Sequence, residues 1–156
     1  RKSAKLEDKP YTDKKSTTGD NVSEGVQGVL SGENAYDFNI ETNGTIIPSF
    51  HRDNVWFTYD YKTPSSLAEE SMNLDIFKVS RKQDLIKFVV GSVEDLDCMR
   101  RIINEHPTKA QIYVSPVWGK IEAATIIDYM KTYNLQNVRF QLQIHKFIWD
   151  PDAKGV

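Results

Sequence analysis

Glu41, Asp60, Lys62, Ser115, Gln143 and His145 carry groups suited to holding a small polar ligand, and each ends or follows a run that reads as a strand. A carboxylate such as Glu41 can accept hydrogen bonds from the N–H groups of a heterocycle. The same stretch, Glu41-Thr42-Asn43-Gly44, also reads as a plain turn, because Asn-Gly readily supplies positive φ. Lys62, two residues from Asp60, can hold a ligand carboxylate by charge-assisted hydrogen bonds or stand as a solvated surface charge. Ser115 and Gln143 add a hydroxyl and an amide. His145 reads as a partner for a substrate or the core rather than a metal ligand. His51 and His106 fall in unrelated places, and no His-x-Glu pairing accompanies them. There is no Gly-x-Gly-x-x-Gly, no phosphate-binding P-loop and no nucleophile elbow.

The elements that must position these groups follow from periodicity. From Val138 to Lys146 the chain alternates: Val138, Phe140, Leu142 and Ile144 are apolar, and Arg139, Gln141, Gln143 and His145 are polar. Such alternation predicts a strand with two chemically different faces, ending at Ile144. Further strands are expected over Tyr36 to Glu41, Asn54 to Tyr59, Leu85 to Val90 and Gln111 to Ser115. A helix is predicted over Glu94 to His106, with Leu96, Met99, Ile102 and Ile103 on one face and Glu94 and Asp95 at its positive N-terminal end. A second is predicted over Ile121 to Tyr133, with Ala124, Ile127 and Met130 as its buried stripe and Asn134 as its stop. Phe38, Phe57, Phe88 and Tyr113 are expected in the core, and Cys98 as a small buried residue. Strands and helices alternating at this spacing imply an α/β fold of parallel βαβ units with right-handed crossovers. In such a sheet binding groups collect after the strands' C-terminal ends, and that is where the candidate residues fall.

Composition bounds the reading. A chain of 156 residues is one domain's worth with a real core. A net charge of −2 supplies no strong field for nucleic acid or a membrane. No apolar run reaches the roughly 20 residues a membrane-spanning helix needs. The N-terminus has no apolar h-region, so no signal peptide is expected, and the missing initiator Met predicts a fragment of something longer. The single cysteine excludes an internal disulfide and any cysteine-rich metal cage within the chain, and points to a reducing, cytoplasmic compartment. Residues 1–35 are rich in Lys, Asp, Glu, Ser, Thr and Gly, and are expected to be a mobile or weakly ordered polar segment ahead of a domain over residues 36–156. The strand from Tyr36 would then be an edge, prone to self-association or to cover by part of that segment.

An ordered series of short motifs carries a resemblance. Glu41-Thr42-Asn43-Gly44-Thr45, Asp60-Tyr61-Lys62 with Pro64-Ser65-Ser66, Ile86-Lys87-Phe88-Val89-Val90, Ser115-Pro116, and Gln143-Ile144-His145-Lys146 with Trp149 and Gly155-Val156 occur in that order. The series resembles the C-terminal half of the 7-carboxy-7-deazaguanine synthase family, radical S-adenosylmethionine lyases of queuosine and 7-deazapurine biosynthesis. The resemblance covers residue 36 to the end. It implies the C-terminal part of a partial (β/α) barrel with its ligands at the strands' C-terminal ends. It also implies a parent enzyme with a [4Fe–4S] cluster, S-adenosylmethionine and Mg2+, reduced by an electron donor such as flavodoxin or ferredoxin and working as a homodimer. The family's radical abstracts hydrogen from a pterin substrate, 6-carboxy-5,6,7,8-tetrahydropterin, and a magnesium-assisted rearrangement yields 7-carboxy-7-deazaguanine. By position, Asp60, Lys62 and Ser115 match S-adenosylmethionine contacts. Glu41, Gln143, His145 and the terminal carboxylate of Val156 match pterin contacts.

The departures are as specific. Asp60 and Tyr61 stand where some members have Ser-Pro. The Cys-x3-Cys-x2-Cys cluster loop and the Gly-Gly-Glu-Pro cofactor loop, expected upstream of Glu41, are absent. One cysteine cannot supply three cluster thiolates. The expectation is therefore a severed half, with no catalytic residue or metal ligand of its own, inactive and free of cofactor when alone. Two other readings compete: an activase-like radical enzyme acting on a glycyl-radical protein, and a non-catalytic α/β module that kept the pocket.

Overall fold

The computed structural model describes residues 36–150. The expected mobile segment 1–35 and the terminal carboxylate of Val156 lie outside the described residues. Five parallel strands form one sheet: β1 (Phe38–Thr42), β2 (Val55–Tyr61), β3 (Leu85–Val90), β4 (Gln111–Pro116) and β5 (Val138–Phe140). The spatial order β1-β2-β3-β4-β5 repeats the chain order, so the sheet has no point where the winding reverses. Right-handed crossovers of that order put their helices on one face, as in the wall of a β/α barrel. The crossovers are α1 (Ile76–Val79) after two 3₁₀ turns, α2 (Val93–Glu105) and α3 (Ala123–Thr132). A short α4 (His145–Ile148) follows β5, and β1 is an edge of the sheet among the described residues.

The alternation in β3 shows how the two faces differ. Ile86, Phe88 and Val90 are fully buried, while Leu85, Lys87 and Val89 are half-buried. Register extends the buried set to Val55, Phe57, Tyr59 and Tyr61 of β2 and to Ile112 and Val114 of β4. Leu96, Met99 and Ile102 of α2, Ile76 and Phe77 of α1 and Ile126 of α3 complete this core. Each fully buried aromatic or branched side chain here contributes about 1.5–3 kcal/mol of transfer free energy.

At the strands' N-terminal ends the polar groups are closed off. The Asp84 carboxylate has no solvent exposure and accepts from the Phe57 and Arg81 backbone N–H groups at 3.0 and 2.7 Å. Arg81 pairs with it at 3.2 Å and donates to the Arg52 and Val55 carbonyls. Gln83 donates to the Asp53 and Val55 carbonyls.

Some expectations change. β5 ends at Phe140 rather than Ile144, and His145 begins a helix. The last ladder bond runs from the Gln141 N–H to the Val114 carbonyl; the next donor toward β5 would come from Pro116, which has no N–H. The helix α3 is rotated from its expected stripe: Ile126 and Tyr129 are buried, Ile127 and Met130 half-buried, and Ala124 exposed. Tyr129 tolerates burial because its hydroxyl donates to the Asp97 carboxylate and accepts from Arg100 at 2.9 Å, both on α2. Phe57, Phe88 and Cys98 are buried as expected, but Phe38 is only half-buried on the edge strand, and Tyr113 lies on the sheet's open face. On α2, Ile103 is half-buried and Asp95, expected only to favour the helix start, is wholly buried.

Candidate functional site

The second face of the sheet is the polar one. Glu41 and Thr58 are register partners, and a parallel row two residues further along runs Asp60, Lys87, Tyr113 and Arg139 across four strands. Parallel sheets normally bury both faces under apolar cover. A half-exposed row of charged and hydroxyl groups there is therefore the lining of a cavity rather than a packing surface.

Two cavities open on this face. The larger, about 540 Å³, is lined by residues that include Asp60, Lys62, Thr63, Lys87, Lys120 and Gln143. The smaller, about 250 Å³, is lined by Glu41, Thr42, Asn43, Thr58, Asp60, Lys62 and Lys87. Asp60, Lys62 and Lys87 border both. Lys62 Nζ lies 3.0 Å from the Asp60 carboxylate, and both side chains are about a third exposed. An exposed pair of this kind contributes at most about 1 kcal/mol to stability, so it is well suited to exchange partners with a ligand.

The loop that carries Lys62 is stitched in place by hydrogen bonds to Asp95 of α2 and to β3. Ser65 donates through its N–H at 2.9 Å and its hydroxyl to the buried Asp95 carboxylate, which also accepts from the Gly91 N–H at 2.7 Å. Burial raises the Asp95 pKa, but the Ser65, Gly91 and Thr63 hydrogen bonds outweigh it and hold the carboxyl below its ordinary value. Thr63 donates to the Val89 carbonyl at 3.1 Å. A Cβ on Gly91 would stand 3.4 Å from the Ser65 hydroxyl, so the loop after β2 and the turn after β3 are in close contact. On the other side, Gly44 has φ +71°, and a Cβ there would meet the Met72 methyl at 2.7 Å. Glu41–Gly44 is thus both a tight turn and a cavity wall.

The structure brings Glu41, Asp60, Lys62 and Gln143 to the two cavities. Gln143 also borders a neighbouring hollow beside Trp118, Leu142 and Phe147. Ser115 lines neither of the two; it is wholly buried beside its register partner Val89, and its hydroxyl has no hydrogen-bond partner among the described residues. His145 is exposed on α4 and lines neither cavity. Sequence reasoning missed Lys87, Lys120, Thr63 and the stitching role of Asp95. For Lys87 the signal was present: it is the charged residue at the centre of an otherwise apolar strand.

The remaining redox-capable group is Cys98. Its thiol is buried in α2, donates to Glu69 at 3.2 Å, and is pushed up to about 12, first by burial and then by the Glu69 carboxylate. A cluster ligand must be a thiolate. Cys98 does not fit that role. Among the described residues no group of three or more His, Cys, Asp or Glu side chains could hold a metal ion, and no helix is long and apolar enough to cross a membrane.

Fold and cavities together define an α/β protein with two polar-lined cavities on the open face of a sequentially wound parallel sheet. The comparisons with known proteins are more particular. The chain is 43% identical over 133 residues to a 7-carboxy-7-deazaguanine synthase of Clostridium acetobutylicum, covering 82% of this chain and 60% of that protein. It is 39% identical over 112 residues to the synthase of Methanospirillum hungatei (72% and 46%), and 33% identical over 122 residues to that of Leptospira interrogans (75% and 50%). Over these residues the chain is a sequence relative of the 7-carboxy-7-deazaguanine synthases, in agreement with its ordered motifs. It spans about half to three fifths of the length of these curated relatives. No family model matches the chain, and no solved structure matches it.

Proposed function

We propose that this chain supplies ligand-binding residues of a 7-carboxy-7-deazaguanine synthase, the enzyme that forms 7-carboxy-7-deazaguanine from 6-carboxy-5,6,7,8-tetrahydropterin with S-adenosylmethionine. The observation that carries the reading is the Asp60–Lys62 pair bordering two cavities, in a chain 43% identical to a protein of that name. The methionyl end of S-adenosylmethionine is a zwitterion. The carboxylate of Asp60 and the ammonium of Lys62 match its two charges. Thr63, Ser65 and Ser66 line the same cavity; their hydroxyl protons go to Val89, Asp95 and Thr63, so they can only accept from a ligand. When bound, S-adenosylmethionine supplies the radical chemistry only with an electron delivered from a reduced centre outside this chain's residues. The work of this chain's residues is to bind, orient and exclude water. Glu41, in the smaller cavity, accepts from the N–H edge of the pterin. The [4Fe–4S] cluster does not fit the residues of this chain, whose sole cysteine is Cys98.

Isothermal titration with S-adenosylmethionine tests the reading. Lys62→Met removes the ammonium but keeps the stem. Its loss should weaken S-adenosylmethionine by about ten- to a hundredfold, the scale of one charge-assisted hydrogen bond. Equal affinity for the variant and the native chain would remove the Asp60–Lys62 pair from the site.

A further inference from the structure

The wall between the two cavities holds a cation that the fold does not use. Lys87 projects from the middle of β3 onto the open face, half-buried, and borders both cavities. Its neighbours in register are Asp60 and Tyr113. Asp60 is taken by Lys62, and no ion pair or hydrogen bond ties the Lys87 ammonium to any described residue. By contrast Arg81, next to the N-terminal end of β3, is paired with Asp84. Partial burial without a partner is unfavourable for an ammonium, and an incoming anion relieves it. Around the larger cavity three lysines, Lys62, Lys87 and Lys120, face a single carboxylate, Asp60, so the lining is electropositive. Across the smaller cavity stands the opposite charge, Glu41. Strand spacing and rise place the Glu41 and Lys87 Cα atoms on the order of 12 Å apart, two strands over and two residues along. That separation leaves room between the two side chains for a flat bicyclic ring.

We propose that Lys87 is the anchor for the carboxylate of the heterocyclic ligand, with Glu41 on the ring's N–H edge at the opposite wall. This rests on the reading of the site as one that binds a carboxylated deazaguanine or pterin. It goes beyond that reading by assigning the carboxylate to a residue and by predicting selectivity for carboxylated rings. Free amino-acid carboxylate, as on S-adenosylmethionine, is the other source of the same chemistry at Lys87, because the lysine also borders the larger cavity. The assignment to the heterocycle follows from Glu41, which lines the smaller cavity together with Lys87 and does not line the larger one.

The experiment compares the full chain with Lys87→Gln and Lys87→Arg by isothermal titration, using 7-carboxy-7-deazaguanine, 7-deazaguanine and S-adenosylmethionine as probes. Circular dichroism confirms that each variant is folded. The native chain should prefer the carboxylated ring. Lys87→Gln should weaken 7-carboxy-7-deazaguanine by about ten- to a hundredfold while changing 7-deazaguanine and S-adenosylmethionine by less than about threefold. Lys87→Arg should retain part of the preference. A preference that survives Lys87→Gln overturns the anchor and leaves the ligand reading intact. A loss confined to S-adenosylmethionine also overturns it and moves Lys87 to the other ligand. A native chain that binds neither ring overturns the anchor together with the heterocycle half of the proposed function.

Discussion

The two ends of the sheet treat their charges in opposite ways. At the N-terminal ends of the strands, Asp84 is fully enclosed, Arg81 is engaged by a carboxylate and two carbonyls, and Gln83 ties down the Asp53–Val55 segment. Toward the C-terminal ends, Lys87 has no ion pair or hydrogen bond and the Ser115 hydroxyl is buried without a hydrogen-bond partner among the described residues, and Asp60–Lys62 is about a third exposed to solvent. One polypeptide thus satisfies its polar groups at one end and leaves them poised at the other. Satisfied groups stabilise; unsatisfied ones next to a cavity bind. The Asp95 cluster belongs to neither extreme. It is a fully paired carboxylate that serves the open end by fixing the shape of its rim.

Substitutions at the two ends should separate these roles. Arg81→Ala leaves Asp84 charged and enclosed without its cation, and should destabilise the fold by about 3–5 kcal/mol, read by urea denaturation. A cost below about 1 kcal/mol would show that the closed end is not a stabilising staple. Asp95→Asn should cost less, about 1.5–3 kcal/mol at neutral pH, because it weakens charge-assisted bonds from Ser65 and Gly91. Its pH signature is distinct. The folded pKa of Asp95 lies below the unfolded one, so its stabilisation is present above about pH 4 and is lost as pH falls through the folded value. The difference between the native chain and Asp95→Asn should therefore shrink in acid, and a constant difference down to the acid transition would rule out the depressed carboxyl. Lys87→Gln should change stability by no more than about 0.5 kcal/mol, since no ion pair or hydrogen bond to a described residue is lost and the glutamine keeps part of the stem. A large loss there would erase the contrast between the two ends.

Much of the element order was legible because it depends on short-range periodicity. The alternation of β3 and the amphipathic face of α2 are written in neighbouring residues, and both elements lie within a residue of where the pattern placed them. The stretch after Phe140 defeated the same reasoning. Alternation made Val138–Ile144 suitable for a strand, but a strand extends only while its neighbour offers donors, and Pro116 offers none. The stripe of α3 failed for a related reason. Tyr129 counts as half-polar in a pattern, and only Asp97 and Arg100 on the adjoining helix make its burial favourable.

For the site, sequence alone determined which chemical groups were available and that they followed strands: Glu41, Asp60, Lys62 and Gln143 all reach the cavities. The ordered motifs also carried the family resemblance, because sequence similarity needs no geometry to be seen. Tertiary structure decided which of those groups share a wall. Register across β2 and β3 set Lys87 beside Asp60, and it is the pairing of Asp60 with Lys62 that leaves Lys87 without an ion pair among the described residues. Tertiary structure also moved His145 onto an exposed helix and buried Ser115 away from both cavities. The physical reason is that a charge's function depends on whether a partner stands within about 4 Å, and partners drawn from strands tens of residues apart meet only when the sheet is assembled.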